Sequence, residues 1–322
     1  MKQKKILVTG ANGYIGQYLG ELISRKDYNS LGTIRFLQKN KCLTYYDDIQ
    51  QSGNIDKYTE WNDLLCGVDF VVHLAGVAHK IKNKKSKKEI NYTKVNRDGT
   101  IRLAEQAAAL GVKRFIYISS IGVLGDKTYC EPFNNKTPYN PMNLYTHSKM
   151  EAEKALTSLS TRVNMDIIIL RPPLIYGPGA PGNFGRLLKL CSSNKFLPFG
   201  AFTTPKNMIS LENICDLIIH CFEIDLPKNR IFVVADKSNW SVVDLIFYMG
   251  KFLDNKVYNL YCPISLLLFF TAFIGKAGDI IKLRNSLHID SNDTWETLKW
   301  YPPQDPLDGL LKAIDHFKNT SR

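Results

Sequence analysis

KILVTGANGYIG, at residues 5–16, is the stretch that decides the fold. Its β-branched start stops at a glycine, which is typical of a buried parallel strand, and apolar residues at helical spacing follow from Tyr14. Gly10 permits a sharp turn, Gly13 lets the backbone approach a pyrophosphate, and Gly16 lets the helix lie close to the strand. Three glycines in this strand–turn–helix context predict a dinucleotide-binding loop, where the helix N-terminus offers N–H groups to phosphates.

Segments typical of strands and helices alternate through the first 173 residues. The predicted strands are residues 5–9, 33–37, 69–75, 114–119 and 166–170. The predicted helices are residues 14–25, 61–66, 92–110 and 144–159. Such alternation is typical of a parallel sheet with helices on both faces. The predicted fold class is therefore α/β, a Rossmann-type doubly wound parallel sheet with a smaller C-terminal substrate lobe.

Prolines and glycines break this rhythm after Arg171, and one further helix–strand pair follows at residues 214–222 and 231–235. The later segments read as short helices and loops, which favours a second, smaller lobe. The predicted division is a dinucleotide-binding domain over residues 1–173, which also recruits about 206–236, and a substrate-binding lobe over residues 174–205 and 237–322.

The composition is that of an ordinary globular protein. Of the 322 residues, 44% are hydrophobic and 22% are charged, which excludes a disordered chain, a collagen-like repeat and a coiled coil. The formal net charge is +12, and six of the positive charges lie in the run Lys80–Lys88. We interpret this run as a solvated loop or helix start, with attraction to an acidic substrate or an anionic membrane surface as the alternative. Nucleic-acid binding is not predicted.

Cysteine usage and the lengths of the apolar runs indicate a cytoplasmic protein. The seven cysteines show no zinc spacing, so no metal site is predicted, and their odd number without a disulfide pattern fits a reducing compartment. The first apolar run is too short for a signal peptide. The longest run, Tyr261–Ile274, is shorter than the roughly 20 residues of a membrane span. Within it, Leu266–Phe270 is interpreted as part of a buried helix, with peripheral membrane contact as the alternative.

A tyrosine and a lysine stand four residues apart in Tyr145-Thr146-His147-Ser148-Lys149, so they share one face of a helix. The lysine ammonium favours the phenolate, which lowers a tyrosine pKa that starts at about 10. Such a tyrosine can give or take a proton at a substrate hydroxyl or carbonyl. The pair Ser119-Ser120 ends the preceding strand, and a hydroxyl there can hydrogen-bond the reacting oxygen.

The end of the second predicted strand bears on the choice of cofactor. An acidic residue there binds the ribose hydroxyls of NAD and repels a 2′-phosphate. The sequence has Gln38 and Lys39 instead, which favours NADP(H). NAD is the alternative, because Asp47 or Asp48 could serve if the strand end lies elsewhere.

Further motifs complete a family pattern over roughly the first 180 residues. They are His73-Leu74-Ala75-Gly76, Val95-Asn96-x-x-Gly99-Thr100, Ser119-Ser120-Ile121-Gly122-Val123-Leu124-Gly125 and Arg171-Pro172-Pro173-Leu174-Ile175-Tyr176-Gly177. With these motifs, the glycine loop and the Tyr-x-x-x-Lys pair, the chain resembles the extended short-chain dehydrogenase/reductases, specifically the NAD-dependent epimerase/dehydratase family of nucleotide-sugar enzymes. The resemblance implies Ser120, Tyr145 and Lys149 as catalytic residues.

The motifs also suggest the residues that bind cofactor and substrate. The predicted cofactor-binding residues are Gly10, Asn12, Gly13, Tyr14, Ile15, Gly16, Gln38, Lys39, Asn54, Ile55, Leu74, Ala75, Gly76, Tyr145, Lys149 and Pro172. The predicted substrate-binding residues are Ser119, Ser120, Asn183 and Lys206. Lys206 stands where such enzymes commonly have an arginine, and a lysine binds a diphosphate only as a point charge. Asn96 is expected to be structural rather than chemical.

The second half resembles one branch of the family. The matching segments are Gly182-Asn183-Phe184, Leu197-Pro198-Phe199-Gly200, Ser210-Leu211-Glu212-Asn213-Ile214 and Trp300-Tyr301-Pro302-Pro303. That branch contains UDP-4-keto-6-deoxy-N-acetylhexosamine 4-reductases of surface-polysaccharide synthesis and UDP-sugar 4-epimerases. A 4,6-dehydratase has Asp-Glu after its catalytic hydroxyl, and this chain has Ile121 and Gly122, so dehydration is not predicted.

The resemblance therefore predicts an NAD(P)-dependent 4-ketoreductase with a UDP-sugar as its partner. The alternative in the same family is a UDP-hexose or UDP-N-acetylhexosamine 4-epimerase, with a polyprenyl-linked sugar as a variant substrate. An alternative of another class is a sensor or scaffold that binds NAD(P) without turnover. The chain could also form a homodimer.

Overall fold

A parallel sheet forms the centre of the computed structural model, which describes residues 3–36, 44–78, 91–193, 195–225, 230–273 and 277–320. The strands are β1 (Lys4–Thr9), β2 (Tyr28–Ile34), β3 (Asp48–Gln51), β4 (Phe70–His73), β5 (Arg114–Ile118), β6 (Asp166–Arg171), β7 (Leu174–Tyr176), β8 (Phe196–Leu197), β9 (Lys206–Ser210), β10 (Arg230–Val233), β11 (Asn239–Trp240) and β12 (Tyr258–Asn259). The helices are α1 (Tyr14–Ser24), α2 (Asn62–Leu65), α3 (Thr100–Ala109), α4 (Leu144–Ser160), α5 (Gly182–Ser193), α6 (Leu211–Glu223), α7 (Val242–Phe252), α8 (Ile264–Phe273), α9 (Ala277–Arg284), α10 (Asn292–Leu298) and α11 (Pro306–Thr320). A π-helical segment, Thr93–Gly99, runs directly into α3.

Seven strands of the described chain form the main sheet in the order β10-β6-β5-β4-β1-β2-β3, and every neighbouring pair is parallel. Alternate side chains of a strand point to opposite faces. Ile6 and Val8 of β1 therefore pack under α1 and α6, whereas Leu7 packs under α2, α3 and α4. This sheet, covered by helices on both faces, confirms the predicted Rossmann-type α/β fold.

The second and third strands differ from what the sequence suggests. The sequence predicts a strand over residues 33–37, but β2 ends at Ile34, and the segment 37–43 lies outside the described residues. Gly32 interrupts the apolar run inside β2, and its missing Cβ makes room for Ala11 and the ring of Tyr46. The edge strand β3 carries no buried side chain, so it has no apolar alternation to reveal it.

Later segments build a second layer of structure beside the carboxyl ends of the main sheet. A small sheet of order β11-β9-β7 and the pair β12-β8 pack with α5, α7, α8 and α11 around a separate apolar cluster that includes Tyr176, Phe184, Phe202 and Met249. The region predicted to join the first domain divides between the two layers. Strand β10 belongs to the main sheet, and helix α6 packs against that sheet. Strand β9, in contrast, pairs with β7 and β11 in the second layer.

The apolar run near residue 265 forms α8, but one face of that helix is exposed. Leu266, Phe269 and Phe270 are among the exposed large apolar side chains of the described structure. The interpretation of Leu266–Phe270 as a buried helix is therefore wrong for these three side chains. The run has no charges that would mark one face as solvent-facing, so the sequence could not distinguish them. No helix within the described residues is both long and apolar enough to cross a membrane.

Candidate active site

A cleft of about 970 Å³ opens where the central strands of the main sheet end. Parallel α/β sheets bind their ligands at this carboxyl edge. Its walls come from the glycine loop, from the segments after β4, β5 and β6, from the start of α4 and from the second layer. The predicted site residues that line it are Tyr14, Ile15, Leu74, Gly76, Ser119, Ser120, Tyr145, Lys149, Pro172 and Asn183. The structure thus brings the predicted catalytic set into one cavity.

The glycine loop between β1 and α1 has little room for side chains. Gly10 adopts φ +71°, and a Cβ there would lie 3.0 Å from the backbone nitrogen of Ala75. A Cβ on Gly16 would lie 2.4 Å from the carbonyl oxygen of Gly10. Gly13 precedes α1, and no side chain in the described structure caps this helix N-terminus. The loop therefore fits the diphosphate of a dinucleotide, which binds to uncapped N–H groups at a helix start.

Lys149 is held at the base of the cleft by backbone and ring contacts. Its ammonium donates a 2.8 Å hydrogen bond to the carbonyl oxygen of Ile118 and lies 4.5 Å from the ring centre of Tyr117. Burial lowers the pKa of Lys149 to about 8, although the nearby Glu153 carboxylate opposes this shift. Near neutral pH the side chain therefore keeps most of its positive charge, which is the form that stabilises an adjacent anion.

Tyr145 lies one helical turn before Lys149 on α4, and the ring of Tyr92 contacts it edge-on at 6.3 Å. Burial raises the pKa of Tyr145 to about 12. A hydrogen bond with Ser120 lowers this pKa, but it offsets only part of the effect of burial. The sequence-based expectation of a lowered tyrosine pKa is therefore wrong for the protein alone, because desolvation outweighs the other effects. The Ser120 hydroxyl also accepts a 3.2 Å hydrogen bond from the amide of Gly122.

Ser119 has a structural partner behind the cleft wall. Its hydroxyl donates to Glu153, a fully buried carboxylate that pairs with Arg171 at 2.6 Å and accepts a 2.9 Å hydrogen bond from Tyr139. The proton of Ser119 is thus already engaged, and its predicted contact with substrate stays a prediction. The sequence analysis missed Glu153, although it lies four residues after Lys149 and therefore on the same face of α4.

Asn96 and His73 hold the chain segment that forms the wall after β4. The side chain of Asn96 accepts from the amide of Val77 at 2.8 Å and donates to the carbonyl oxygen of Val77 at 3.0 Å. His73 is fully buried between the hydroxyls of Thr9, at 2.7 Å, and Thr100, at 2.9 Å. Asn96 also donates to the hydroxyl of Ser148 on α4 at 3.0 Å, so its contacts tie this wall to α4, in line with the structural role expected of it. Burial lowers the pKa of His73 to about 3, so this ring is neutral at physiological pH.

An arginine follows the end of β2, the part of the chain that bears on the choice of cofactor. Arg35 directly follows the strand and is exposed, whereas Gln38 and Lys39 lie outside the described residues. Asp47 accepts from the amide and hydroxyl of Ser30, at 2.7 and 2.8 Å. Asp48 pairs in register with Leu31, three positions before the end of β2. Neither aspartate can therefore supply the acidic residue considered as an alternative at the strand end.

The remaining predicted cofactor residues lie beside the cleft rather than in its lining. Asn12 is exposed and its carbonyl oxygen accepts a 2.8 Å hydrogen bond from Gln17. Asn54 is also exposed, whereas Ile55 is buried against Gly99 in the core. Ala75 packs behind the glycine loop. Their contacts with a dinucleotide stay predictions.

The second layer forms the side of the cleft where substrate binding is predicted. Asn183 lines it from the start of α5, and Lys282 and Leu287 line it from α9 and the segment that follows. Lys206 is not part of the lining. Its ammonium instead donates to the carbonyl oxygen of Lys282, which does line the cleft. Burial lowers the pKa of Lys206 to about 8. The direct contact of Lys206 with substrate therefore stays a prediction. The hydrogen bond from Lys206 to Lys282 supports the cleft wall.

Comparisons with known proteins agree with this fold. Residues 6–197 match the NAD dependent epimerase/dehydratase family. The UDP-glucose 4-epimerase of Vibrio cholerae is 35% identical over 318 residues, which cover 98% of this chain and 95% of that protein. The N-acetyl-alpha-D-glucosaminyl-diphospho-ditrans,octacis-undecaprenol 4-epimerase of Escherichia coli O157:H7 is 28% identical over 263 residues, or 81% of this chain and 76% of that protein.

Solved structures share the fold at lower sequence identity. The UDP-glucuronic acid 4-epimerase of Bacillus cereus, in complex with NAD, superposes with a TM-score of 0.77 at 21% identity, covering 99% of this chain and 100% of that chain. The UDP-glucose 4-epimerase of Thermotoga maritima, with UDP-glucose, gives 0.78 at 19% identity with the same coverage.

The parallel sheet, the glycine loop and the Ser–Tyr–Lys cleft define an enzyme of the extended short-chain dehydrogenase/reductase class. Within that class, the chain belongs to the NAD dependent epimerase/dehydratase family. It is therefore a nucleotide-sugar enzyme of the epimerase and dehydratase type.

Proposed function

We propose that this protein is a UDP-sugar 4-epimerase, which inverts the configuration at C4 of a UDP-hexose or UDP-N-acetylhexosamine. The observation that carries the proposal is the match over nearly the full length to the UDP-glucose 4-epimerase of Vibrio cholerae. The cleft that contains Ser120, Tyr145 and Lys149 supports it, because these three residue types can move one proton at a sugar hydroxyl.

The proposal requires a bound nicotinamide dinucleotide, and the described loop fits one. The N–H groups after Gly13 would hold the diphosphate, and Lys149 and Pro172 would lie against the nicotinamide end. When bound, the nicotinamide would supply the acceptor and donor of a hydride for C4 of the sugar. We further propose that residues 1–173, with α6 and β10, hold the dinucleotide and that the second layer holds the UDP-sugar.

Tyr145 is proposed to take the proton of the C4 hydroxyl. After the keto sugar has rotated in the cleft, Tyr145 would return the proton to the 4-keto oxygen. A phenol with a pKa of about 12 must be helped to ionise. Lys149 can provide that help, because it is the buried cation on the same face of α4. Ser120 hydrogen-bonds Tyr145 and would polarise the 4-keto oxygen, so that the proton passes along a short path.

A 4-ketoreductase that consumes NADPH is the second candidate, and Arg35 is the observation that favours it. An arginine directly after the second strand can pair with the 2′-phosphate of NADPH, and Asp47 is bonded to Ser30 instead. A reductase would use the same three catalytic residues once, with Tyr145 donating its proton to the 4-keto oxygen. In this case the cofactor has to exchange at every turnover.

One experiment separates these functions. Purified protein is incubated with UDP-glucose, with UDP-N-acetylglucosamine and with a UDP-4-keto-6-deoxy-N-acetylhexosamine, each with NAD, with NADPH or with neither, and products are resolved by chromatography. An epimerase interconverts one of the first two substrates with its C4 epimer without net consumption of reductant. Stoichiometric loss of NADPH with the keto sugar alone would replace the epimerase by the reductase.

A lipid-linked sugar is the natural extension of this substrate series. The Escherichia coli relative is named for an undecaprenyl-diphosphate sugar, and the diphosphate–sugar unit is common to both substrate types. A parallel reaction with polyprenyl-diphospho-N-acetylglucosamine in detergent tests that variant. No turnover of any of the four substrates would favour the sensor or scaffold function.

A further inference from the structure

Lys149 is a buried cation, and the carboxylate that follows it on α4 is engaged elsewhere. Lys149 exposes 6% of its surface, and its ammonium donates to the carbonyl oxygen of Ile118 at 2.8 Å. Glu153, one helical turn further on, pairs with Arg171 at 2.6 Å. Burial disfavours a charged ammonium unless other contacts stabilise it. The neighbours of Lys149 other than this carboxylate therefore bear on whether it keeps its charge.

The ring of Tyr117 gives this ammonium a second contact. Lys149 Nζ lies over the ring at 4.5 Å from its centre, within the roughly 6 Å at which an aromatic face attracts a cation. Tyr117 is fully buried, so water does not weaken this attraction. The ring stacks on His73 with centres 5.9 Å apart, and His73 is itself held by the hydroxyls of Thr9 and Thr100. The packing thus fixes the ring where it faces the ammonium.

Several titratable and charged groups face Lys149 from the elements around it. Burial raises the pKa of Tyr145 to about 12 and holds the pKa of Tyr117 well above its ordinary value, whereas it lowers the pKa of His73 to about 3. Burial lowers the pKa of Lys149 to about 8. Among these four side chains, the lysine is therefore the one that changes charge between pH 7 and 9. The groups that face it are Tyr145 and Glu153 of α4, His73 of β4, Tyr117 of β5 and, through Glu153, Arg171 of β6.

We propose that Tyr117 is a positioning residue, whose ring face keeps the Lys149 ammonium charged and directed toward the cleft. An ammonium has three N–H donors. One of them bonds to Ile118, and the ring covers another side, which leaves a donor for a ligand in the cleft that Lys149 lines. Tyr117 is not part of that lining, so it acts through the lysine. The inference rests on the proposed function in one respect, namely that a cationic Lys149 helps Tyr145 to ionise.

The test compares Tyr117→Phe, which keeps the aromatic face, with Tyr117→Leu, which removes it and keeps an apolar side chain. Phe115→Leu is the matched control, because it removes a fully buried ring from the same strand and the same apolar cluster. Urea denaturation at pH 7 and pH 9 measures the unfolding equilibrium constant of each protein. This measurement needs no substrate, so it is independent of the proposed function. Tyr117→Met takes the place of Tyr117→Leu if the latter does not fold.

A contact made by the cation stabilises the fold below the pKa of Lys149, and this stabilisation is lost as the pH rises through that pKa. We expect the unfolding constant of Tyr117→Leu to exceed that of Tyr117→Phe, and the ratio of the two constants to be about fivefold smaller at pH 9 than at pH 7. Phe115→Leu should differ from the wild type by the same factor at both pH values. A ratio for the two Tyr117 variants that does not change with pH would overturn the proposal.

A double-mutant cycle assigns the effect to the lysine. When Lys149→Met is added to both Tyr117 variants, their unfolding constants should differ by the same factor at pH 7 and pH 9. A pH dependence that persists in this background would belong to another group and would also overturn the proposal.

The pH profile of kcat/KM, with whichever sugar nucleotide the protein turns over, gives a second readout. Its alkaline decline should have a midpoint about one pH unit lower in Tyr117→Leu than in the wild type, because the lysine then loses its proton more readily. Tyr117→Phe and Phe115→Leu should keep the wild-type midpoint. An unchanged midpoint in Tyr117→Leu would contradict the role of the ring. Absence of turnover with every substrate would instead overturn the proposed function, and the unfolding data alone would then decide this inference.

Discussion

Glu153 and Arg171 form a fully buried ion pair, in which Oε2 and Nη2 lie 2.6 Å apart. The pair fixes α4, which carries Tyr145 and Lys149, the proposed catalytic residues, to the end of β6. The ring of Tyr139 lies over the guanidinium at 4.9 Å, and Ser119 and Tyr139 donate to the carboxylate. The charge of Glu153 is thus well matched by its neighbours.

Removing one member of this pair should be costly. Glu153→Ala leaves Arg171 charged and buried without its partner, and we expect a loss of about 3–5 kcal/mol in the free energy of unfolding. Urea denaturation measures the change. Glu21→Ala, which breaks the exposed pair with Arg25, should cost less than about 1 kcal/mol. Similar losses in the two variants would mean that the buried pair does not hold α4.

The phenol of Tyr145 should be essential to turnover but not to folding. Tyr145→Phe removes only the hydroxyl, and we expect turnover to fall by about 10²- to 10⁴-fold, the usual contribution of a general acid or base. Dinucleotide binding, followed by fluorescence titration, should change little. Tyr58→Phe, which alters an exposed ring, serves as the control. Near wild-type turnover of Tyr145→Phe would remove this residue from the mechanism.

His73 should make the protein less stable in acid. Its pKa is about 3 when folded and about 6.5 when unfolded, so between these pH values the unfolded chain binds more protons. The free energy of unfolding therefore falls as the pH drops through this window, by up to about 1.4 kcal/mol per pH unit from this residue. His73→Gln should have a shallower pH dependence between pH 6 and 4 in urea titrations. Parallel curves for the two proteins would contradict a neutral, buried His73.

Gly16 should tolerate no side chain. Its Cβ would lie 2.4 Å from the backbone oxygen of Gly10, so Gly16→Ala must displace the loop or α1. We expect the dissociation constant of the dinucleotide to rise more than about tenfold, the equivalent of 1.4 kcal/mol. Gly278→Ala is the matched control, because Gly278 is a helical glycine in α9 with no atom within 4 Å of the added carbon. Unchanged dinucleotide binding in Gly16→Ala would show that the loop does not bind phosphate.

Arg35 should set the preference between the two nicotinamide cofactors. If it pairs with a 2′-phosphate, Arg35→Ala should weaken NADPH binding by about tenfold or more and leave NADH binding unchanged. Isothermal titration calorimetry with each cofactor measures the difference, and Arg25→Ala is the control for loss of an exposed arginine. An equal effect on both cofactors, or none on either, would place the ribose recognition elsewhere.

The sequence was sufficient to predict a parallel main sheet and to bring the proposed catalytic residues to one edge of it, although β2 was misplaced and β3 was not predicted. Strong local signals made this possible, such as the apolar β1 that stops at Gly10 and the helical spacing of Tyr145 and Lys149. The start and end of β2 could not be predicted, because Gly32 disrupts its apolar pattern and the end of a strand depends on its neighbours in the sheet. Gln38 and Lys39 lie outside the described residues, so their predicted contact with the ribose stays a prediction.

The pKa values of side chains and their exposure to solvent were harder to predict from the sequence. The pKa of Tyr145 is raised to about 12 because the chain buries it, which no spacing rule can reveal. Likewise, the outward face of α8 is as apolar as its inward face. Only the packing of Ile264, Leu267 and Leu268 against the second layer distinguishes the two faces.

The late position of β10 in the chain has a consequence for synthesis on the ribosome. Its residues, Arg230–Val233, form the outer edge of the main sheet beside β6, about 60 residues after that strand has been made. Until they emerge, the backbone groups on the outer edge of β6, opposite β5, have no neighbouring strand, and such edges are prone to associate with other strands. The order of translation thus leaves an interval in which one edge of the sheet is open to pairing with another strand.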